Sequence, residues 1–74
     1  MTRLSAREME VARLVAEDLA DKEIASILVI SVRTVQNYLD RVSKKIGASE
    51  SSVARRRAIR LWIESAETEA ARAA

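Results

Sequence analysis

The sequence predicts an all-α protein of four helices, in which the second and third form a helix-turn-helix unit. Apolar residues recur at helical spacing in four stretches, capping residues precede these stretches, and the only glycine follows the third. The predicted helices cover roughly residues 5–18, 21–28, 32–46 and 50–66. We expect residues 1–66 to form one small domain and residues 67–74, rich in Ala and Glu, to extend helix four or to fray.

The first helix is predicted to start at a capping box, because Ser5 and Glu8 are three residues apart just before an apolar run. The break before helix two has no Gly or Pro. We therefore expect Asp18 to take a left-handed backbone conformation, which Asp tolerates better than most residues. Ala20 has no capping side chain, so either Asp18 or Asp21 is expected to cap helix two.

Helices two and three are predicted to share one core and to meet at a sharp turn. Helix three presents an apolar stripe and Ser31 is its expected N-cap, while only a few residues separate the two helices. The stripe consists of Val32, Val35, Leu39, Val42 and Ile46. Two helices joined in this way are typical of a DNA-binding motif whose second helix enters the major groove.

Helix four is predicted to follow a C-cap at Gly47, with Ser49 as its N-cap. Its expected core stripe consists of Ala54, Ala58, Leu61 and Trp62, and Ile59 and Ile63 lie off that stripe. A helix that is apolar on more than one side usually has a second partner. Trp62 can either close the core or anchor a dimer interface, where Trp is enriched.

Composition argues against several classes of function. The chain has no Cys and no His, so thiolate chemistry and the commonest metal ligand and general base are missing. No glycine-rich phosphate loop is present, and an enzyme is therefore not expected. No apolar run reaches the roughly 20 residues that span a bilayer, and the N-terminus lacks a signal peptide. We expect a cytoplasmic protein without a cofactor, a metal, a membrane partner or a small-molecule substrate.

Positive charge is concentrated on the predicted third and fourth helices. The net charge of the chain is only +2. Residues 31–61, however, contain two acidic residues and eight basic ones: Arg33, Arg41, Lys44, Lys45, Arg55, Arg56, Arg57 and Arg60. This distribution suits a phosphate-binding surface, although a solvated face of an ordinary helical domain would carry similar charges.

Four short blocks resemble the successive signatures of the LuxR-type (GerE- or NarL-type) DNA-binding domain. They are LSARE at 4–8, KEIA at 22–25, ISVRTVQNYL at 30–39 and KIGA at 45–48. The resemblance covers roughly residues 4–63. It implies a four-helix domain of a bacterial transcriptional regulator, with helix three in the major groove and, in many members, dimerisation through helix four.

The chain departs from this family pattern at several positions. Asp18 replaces a usual Gly and Ala20 a usual Ser, while Tyr38 replaces a frequent His, a change that some members share. Near helix four, Ser51 replaces a frequent Arg and Arg55 replaces an apolar residue. These last two changes would either weaken dimerisation or add phosphate contacts.

The expected base contacts are Arg33, Gln36 and Asn37, opposite the apolar stripe of helix three. Gln and Asn can pair with adenine, and Arg prefers guanine. The family resemblance implies groove contacts at the same three positions. Asp40 would accept from cytosine, but pairing with Lys44 four residues later is the simpler expectation.

The expected phosphate contacts combine a helix N-terminus with basic side chains: Ser31, Thr34, Arg41, Lys44 and Lys45. Lys45 also matches the basic residue of a family block, whereas Arg41 can equally serve solubility. Tyr38 is expected to be a packed ring, since a chain with two aromatic residues lacks a row for stacking single-stranded bases.

The same features of the sequence predict which molecules the chain binds. We expect double-stranded DNA and a homodimer formed through Ile59, Trp62 and Ile63 of helix four. The alternative is a helical protein-protein interaction or dimerisation module, in which helix three is a solvated face. The chain is either a stand-alone regulator or a piece of a longer one.

Overall fold

The computed structural model describes residues 3–47 and 52–73, and these form four helices. Their bounds are α1 Ala6–Ala16, α2 Asp21–Leu28, α3 Val32–Ile46 and α4 Ser52–Ala73. The predicted all-α class is confirmed, and α2 and α3 have the predicted bounds. Helix α1 ends two residues earlier than predicted, and α4 continues past residue 66. The predicted cap at Ser49 and the substituted Ser51 lie outside the described residues.

The start of α1 is the predicted capping box. The backbone N–H of Glu8 donates to Ser5 Oγ at 3.2 Å, and the backbone N–H of Ser5 donates to Glu8 Oε1 at 2.8 Å. Two of the backbone donors at this helix end are thereby satisfied by side chains.

The turn between α1 and α2 uses a left-handed residue, as predicted, with Asp18 at φ 66°. Neither Asp18 nor Asp21 caps α2, which corrects the predicted cap. The N-cap position is Ala20, which has no capping side chain. Instead, Glu23 Oε1 accepts the backbone N–H of Ala20 at 2.9 Å, so the third helical residue supplies half of a capping box.

The turn between α2 and α3 contains a left-handed residue that the sequence did not predict. Val29 has φ 56°, which is a rare conformation for a β-branched residue. After it, Ser31 is the N-cap of α3, and its Oγ accepts from Thr34 N at 3.0 Å, as predicted. Gly47 at φ 74° is the predicted C-cap.

The core lies between α1, α3 and α4, with α2 packed against α3. Its apolar members are Leu4, Val11, Ala12, Val15, Ile24, Ala25, Val35, Leu39, Val42, Ile59 and Ile63. Val32 was predicted to face this core and does not, since 38% of its surface is exposed. It lies in the first turn of α3, where it lines an open groove with Lys22 of α2.

The core face of α4 is also different from the predicted one. Ile59 and Ile63 are buried, and Leu61, which was assigned to the core stripe, is 54% exposed. Apolar residues occur on several sides of this helix, so periodicity alone could not choose among them. The two isoleucines, one turn apart, are part of the core, and Trp62 is partly buried beside it.

Candidate nucleic-acid interface

Helix α3 divides into a buried face and an exposed polar face. Val35, Leu39 and Val42 are buried in the core. Arg33, Gln36 and Asn37 are exposed. Because positions i, i+3 and i+4 share one side of a helix, these three side chains lie together, opposite the buried stripe. Arg41 and Lys44 continue the same side and are also exposed. The structure thus brings most of the predicted DNA-contacting residues onto one surface.

The exposed start of α3 carries two hydroxyl groups. Ser31 Oγ and Thr34 Oγ1 are 2.9 Å apart and share a hydrogen bond, in addition to the capping bond from Thr34 N. Ser31 is therefore occupied in stabilising the helix start. The amide groups of the first turn and the aligned backbone dipoles make this end favourable for an anion such as a DNA phosphate.

Two side chains farther along the exposed face have neighbours on α3 itself. Lys44 Nζ lies 3.0 Å from Asp40 Oδ2, which is the predicted i, i+4 pair. The Arg41 guanidinium lies 5.7 Å from the centre of the Tyr38 ring, which is partly buried against the core. At this distance the ring makes a cation-π contact with Arg41, which remains exposed.

Lys45 was predicted to contact phosphate, but it has a partner within the chain. Its Nζ lies 2.6 Å from Glu8 Oε1, and the Glu8 side chain is 4% exposed. The hydrogen bond from Lys45, followed by the bond from the backbone N–H of Ser5, lowers the pKa of Glu8 below its ordinary value, against the opposing effect of burial. Lys45 thus joins the end of α3 to the start of α1.

The arginines of α4 have different roles. Arg56 Nη1 lies 2.6 Å from Asp21 Oδ1, and Arg56 Nη2 also donates to the carbonyl of Leu19. Arg60 is one turn later, and its Nη1 lies 3.2 Å from Asp18 Oδ1. Sequence reasoning missed this clamp on the α1–α2 turn. The sequence does contain a signal for it. Two arginines are one helical turn apart on α4, and two aspartates of opposite charge flank a helix start that has no capping side chain.

Arg55 and Arg57 do not belong to this clamp. Arg57 is exposed. Arg55 is half-buried, and its Nε has no hydrogen-bond partner among the described residues. Arg55 lines an open groove together with Lys22 of α2 and with Val32 and Gln36 of α3. This groove borders the polar face of α3.

The predicted dimer residues are separated by the fold. Ile59 and Ile63 are buried in the core of the same chain, so they are not available to a partner in this structure. Trp62 is only partly buried, and Leu61 beside it is exposed. In the described part of α4, the large apolar side chains that stay accessible are therefore Leu61 and part of Trp62.

Within residues 3–47 and 52–73, no group of three or more acidic side chains is arranged to hold a metal ion. None of the helices in that part of the chain is long and apolar enough to cross a membrane.

Comparison with known proteins identifies the family. Residues 2–58 match the family model described as bacterial regulatory proteins, luxR family. The chain belongs to the luxR family. The match includes α1, α2, α3 and the first part of α4, so the helix-turn-helix unit and its exposed face lie within the luxR domain.

Individual luxR-family relatives are similar over the same region. The chain is 43% identical to the spore germination protein GerE of Bacillus subtilis over 51 residues, which are 69% of this chain and 69% of GerE. It is 48% identical over 44 residues to putative HTH-type transcriptional regulators of Mycobacterium bovis and Mycobacterium tuberculosis. That region is 60% of this chain but only 5% of each mycobacterial protein. No solved structure matches the chain.

Proposed function

We propose that the chain binds double-stranded DNA sequence-specifically, as a bacterial transcriptional regulator or its DNA-binding domain, with α3 in the major groove. Membership of the luxR family of regulatory proteins supports this function, as do relatives named as transcriptional regulators. The observation that carries it is the exposed polar face of α3 beside a buried apolar one. In this role the chain binds DNA without changing it chemically, and it acts in the cytoplasm.

Base readout is assigned to Arg33, Gln36 and Asn37. The Gln and Asn amides can donate and accept at once, which matches the N6 and N7 groups of adenine, and Arg can donate twice to guanine. All three side chains are exposed near the start of α3, the part of a recognition helix that reaches base edges. Asp40 is assigned to Lys44 rather than to a base, because the 3.0 Å pair already uses its carboxylate.

Phosphate contacts are assigned to both ends of the exposed face. Thr34 and the free amides beside Ser31 serve one strand at the helix start, and Arg41 and Lys44 provide charge farther along. Lys45 retains two ammonium hydrogens beyond the one directed at Glu8, so it can still donate to a phosphate. Such contacts fix the orientation of the protein and make affinity fall with salt.

Dimerisation through α4 forms part of the same proposal. The exposed Leu61 and the half-buried Trp62 offer an apolar surface on α4 for a second copy of the chain. Ile59 and Ile63, which were predicted to form this contact, are buried in the core instead. Two copies would place two α3 helices on successive half-sites of DNA. Sedimentation at high micromolar concentration should show a dimer that Leu61→Glu disrupts. A wild-type monomer with no cooperativity on DNA would contradict this arrangement.

The test of DNA binding is a fluorescence-anisotropy titration on two duplexes, one selected from a random library and one of random sequence. We expect Asn37→Ala to cost about 1–3 kcal/mol on the selected duplex and little on the random one. Arg41→Ala should weaken both and reduce the slope of log affinity against log salt by about one. Arg13→Ala, an exposed change on α1 that removes the same charge as Arg41→Ala, is the control.

Two results would contradict the proposal in different ways. Equal losses on both duplexes for Asn37→Ala would remove Asn37 from base readout. Failure to select any preferred duplex, with no binding even at low salt, would favour a helical protein-interaction module instead.

A further inference from the structure

Val32 is an apolar residue on a polar surface. It is the first residue of α3, and 38% of its surface is exposed. Gln36 lies one turn later on the same side of the helix, and both residues line an open groove. That groove also contains Lys22 and two aspartates, Asp18 and Asp21, whose carboxylates are paired with arginines of α4. Val32 thus lies beside a residue assigned to base readout, at the end of α3 that approaches the bases most closely.

We infer that Val32 contacts the 5-methyl group of a thymine next to the base pair that Gln36 reads. This inference rests on the proposed DNA binding and adds one element of its sequence preference. The thymine methyl is the apolar group on the major-groove edges of the four bases. An exposed valine therefore has one favourable partner there, whereas it offers nothing to a phosphate or to a polar base edge.

The shape of the side chain supports a specific contact. Valine in a helix has one strongly preferred χ1 rotamer, so its two methyl groups are held in place before DNA binds. The backbone at this point is fixed by the Ser31 cap immediately before it. Burial of one methyl-sized group corresponds to about a fourfold change in affinity at 25 °C.

The same position differs from other exposed apolar residues. Ile27 is 56% exposed, but it lies on α2 in a groove lined by Glu10, Arg13 and Glu17. None of the residues that line that groove belongs to α3, the helix assigned to DNA. Ile27→Ala therefore removes a comparable exposed aliphatic side chain away from the proposed interface, and it serves as the matched control.

The experiment uses the selected duplex described above, in which each thymine is replaced in turn by uracil. Uracil keeps the hydrogen-bonding groups of thymine and lacks only the methyl, so the exchange isolates the apolar contact. The wild-type chain should lose about fourfold in affinity at one position in each half-site. Val32→Ala and Val32→Ser, which remove both γ-methyl groups, should lose most of the difference between the thymine and uracil duplexes there. Ile27→Ala should retain the wild-type difference, and circular dichroism should show that all variants are folded.

Three results of this experiment would overturn the contact between Val32 and thymine. A preferred duplex with no thymine-to-uracil effect, or with no thymine under α3, overturns the Val32 contact and leaves the proposed DNA binding intact. An effect of equal size in wild type and Val32→Ala assigns the methyl to another residue and overturns it as well. Failure to select any duplex overturns both the contact and the function on which it rests.

Discussion

The two turns that flank α2 share a backbone feature but are stabilised in different ways. Each contains a residue other than glycine in the left-handed region, Asp18 in the first and Val29 in the second. The first turn is clamped from a distant helix by Arg56 and Arg60. The second turn ends at the Ser31 cap, and Val29 itself is 88% exposed. Distant ion pairs thus add to a local bond from Glu23 at one end of α2, whereas local hydrogen bonds support the other.

The two turns also differ in their position relative to α3. The turn with local support directly precedes α3, the helix assigned to base readout. The clamped turn lies at the other end of α2. Backbone strain is often found where a fold must position a binding element, and Val29 fits that tendency.

The largest effect is expected for Arg56→Ala. The change removes an ion pair with Asp21 and a hydrogen bond to the Leu19 carbonyl, both of them partly buried. Bonds to charged groups of this kind are each worth about 1.5–3 kcal/mol, but the Arg56 and Asp21 side chains are 30% and 28% exposed, so water screens the ion pair and can replace part of it. The free energy of unfolding should therefore fall by about 2–3 kcal/mol in urea titrations.

Arg57→Ala is the matched control for this prediction, since Arg57 is the next residue on α4 and is exposed. It should change the free energy of unfolding by less than about 0.5 kcal/mol. Equal effects of the two variants would mean that helix propensity or net charge, rather than the clamp, stabilises the first turn.

The second prediction concerns the other distant contact, between Glu8 and Lys45. The lowered pKa of Glu8 means that the folded state binds a proton less readily than the unfolded one. The stabilisation is therefore fully present above the ordinary glutamate pKa, near 4.5, and is lost as the pH falls through the lower folded value. Unfolding free energies measured from pH 6 down to pH 3 should decrease, and Glu8→Gln should flatten this decrease.

Lys45→Met tests the same contact from its other side. With the carboxylate left buried and without its ammonium partner, we expect a loss of about 1–2 kcal/mol at pH 7, reduced because Lys45 is 42% exposed and water can replace part of the bond. A double variant with Glu8→Gln should recover part of that loss. If Glu8→Gln cost as much free energy in the Lys45→Met background as it does in the wild type, the two side chains would not be coupled.

The third prediction compares the two helix starts. Ser31→Ala removes the hydroxyl that caps α3, and the expected loss is about 1 kcal/mol. Ala20→Ser adds a hydroxyl at the uncapped start of α2 and should stabilise by about 0.5–1 kcal/mol. Thermal melts followed by circular dichroism check both. The two substitutions should change the stability in opposite directions. If Ala20→Ser brought no gain, Glu23 and the contacts of Arg56 and Arg60 would already satisfy the start of α2.

How far the sequence predicted this structure depends on how local each feature is. The capping box of Ser5, the cap at Ser31 and the C-cap at Gly47 depend on residues within three positions, and each was predicted correctly. The exposed face of α3 was also predicted, because one strong apolar stripe determines its opposite side. Asp18 was predicted because few other residues near it tolerate a left-handed conformation.

Features that depend on packing between helices were not predicted. The burial of Ile59 and Ile63 required knowing which side of α4 meets α1 and α3, and several sides are apolar. The partners of Arg56 and Lys45 are more than thirty residues away along the chain. Val32 was assigned to the core by periodicity, although the first turn of a helix can extend beyond the helix packed against it.

The smallest effect is expected for Val29→Gly, and its sign is the opposite of most substitutions. A β-branched residue at φ 56° carries a cost of about 1–2 kcal/mol that glycine does not. Glycine loses about 0.5–1 kcal/mol through the greater freedom of the unfolded chain, and little buried surface is lost because Val29 is 88% exposed. The variant should therefore be more stable by about 0.5–1 kcal/mol in urea titrations.

Asp18→Gly is the counterpart in the other turn. There the lost contact with Arg60 offsets the relief of backbone strain, so no gain in stability is expected. A stabilised Asp18→Gly and an unchanged Val29→Gly would reverse the comparison, because strain would then be concentrated in the clamped turn rather than beside the recognition helix.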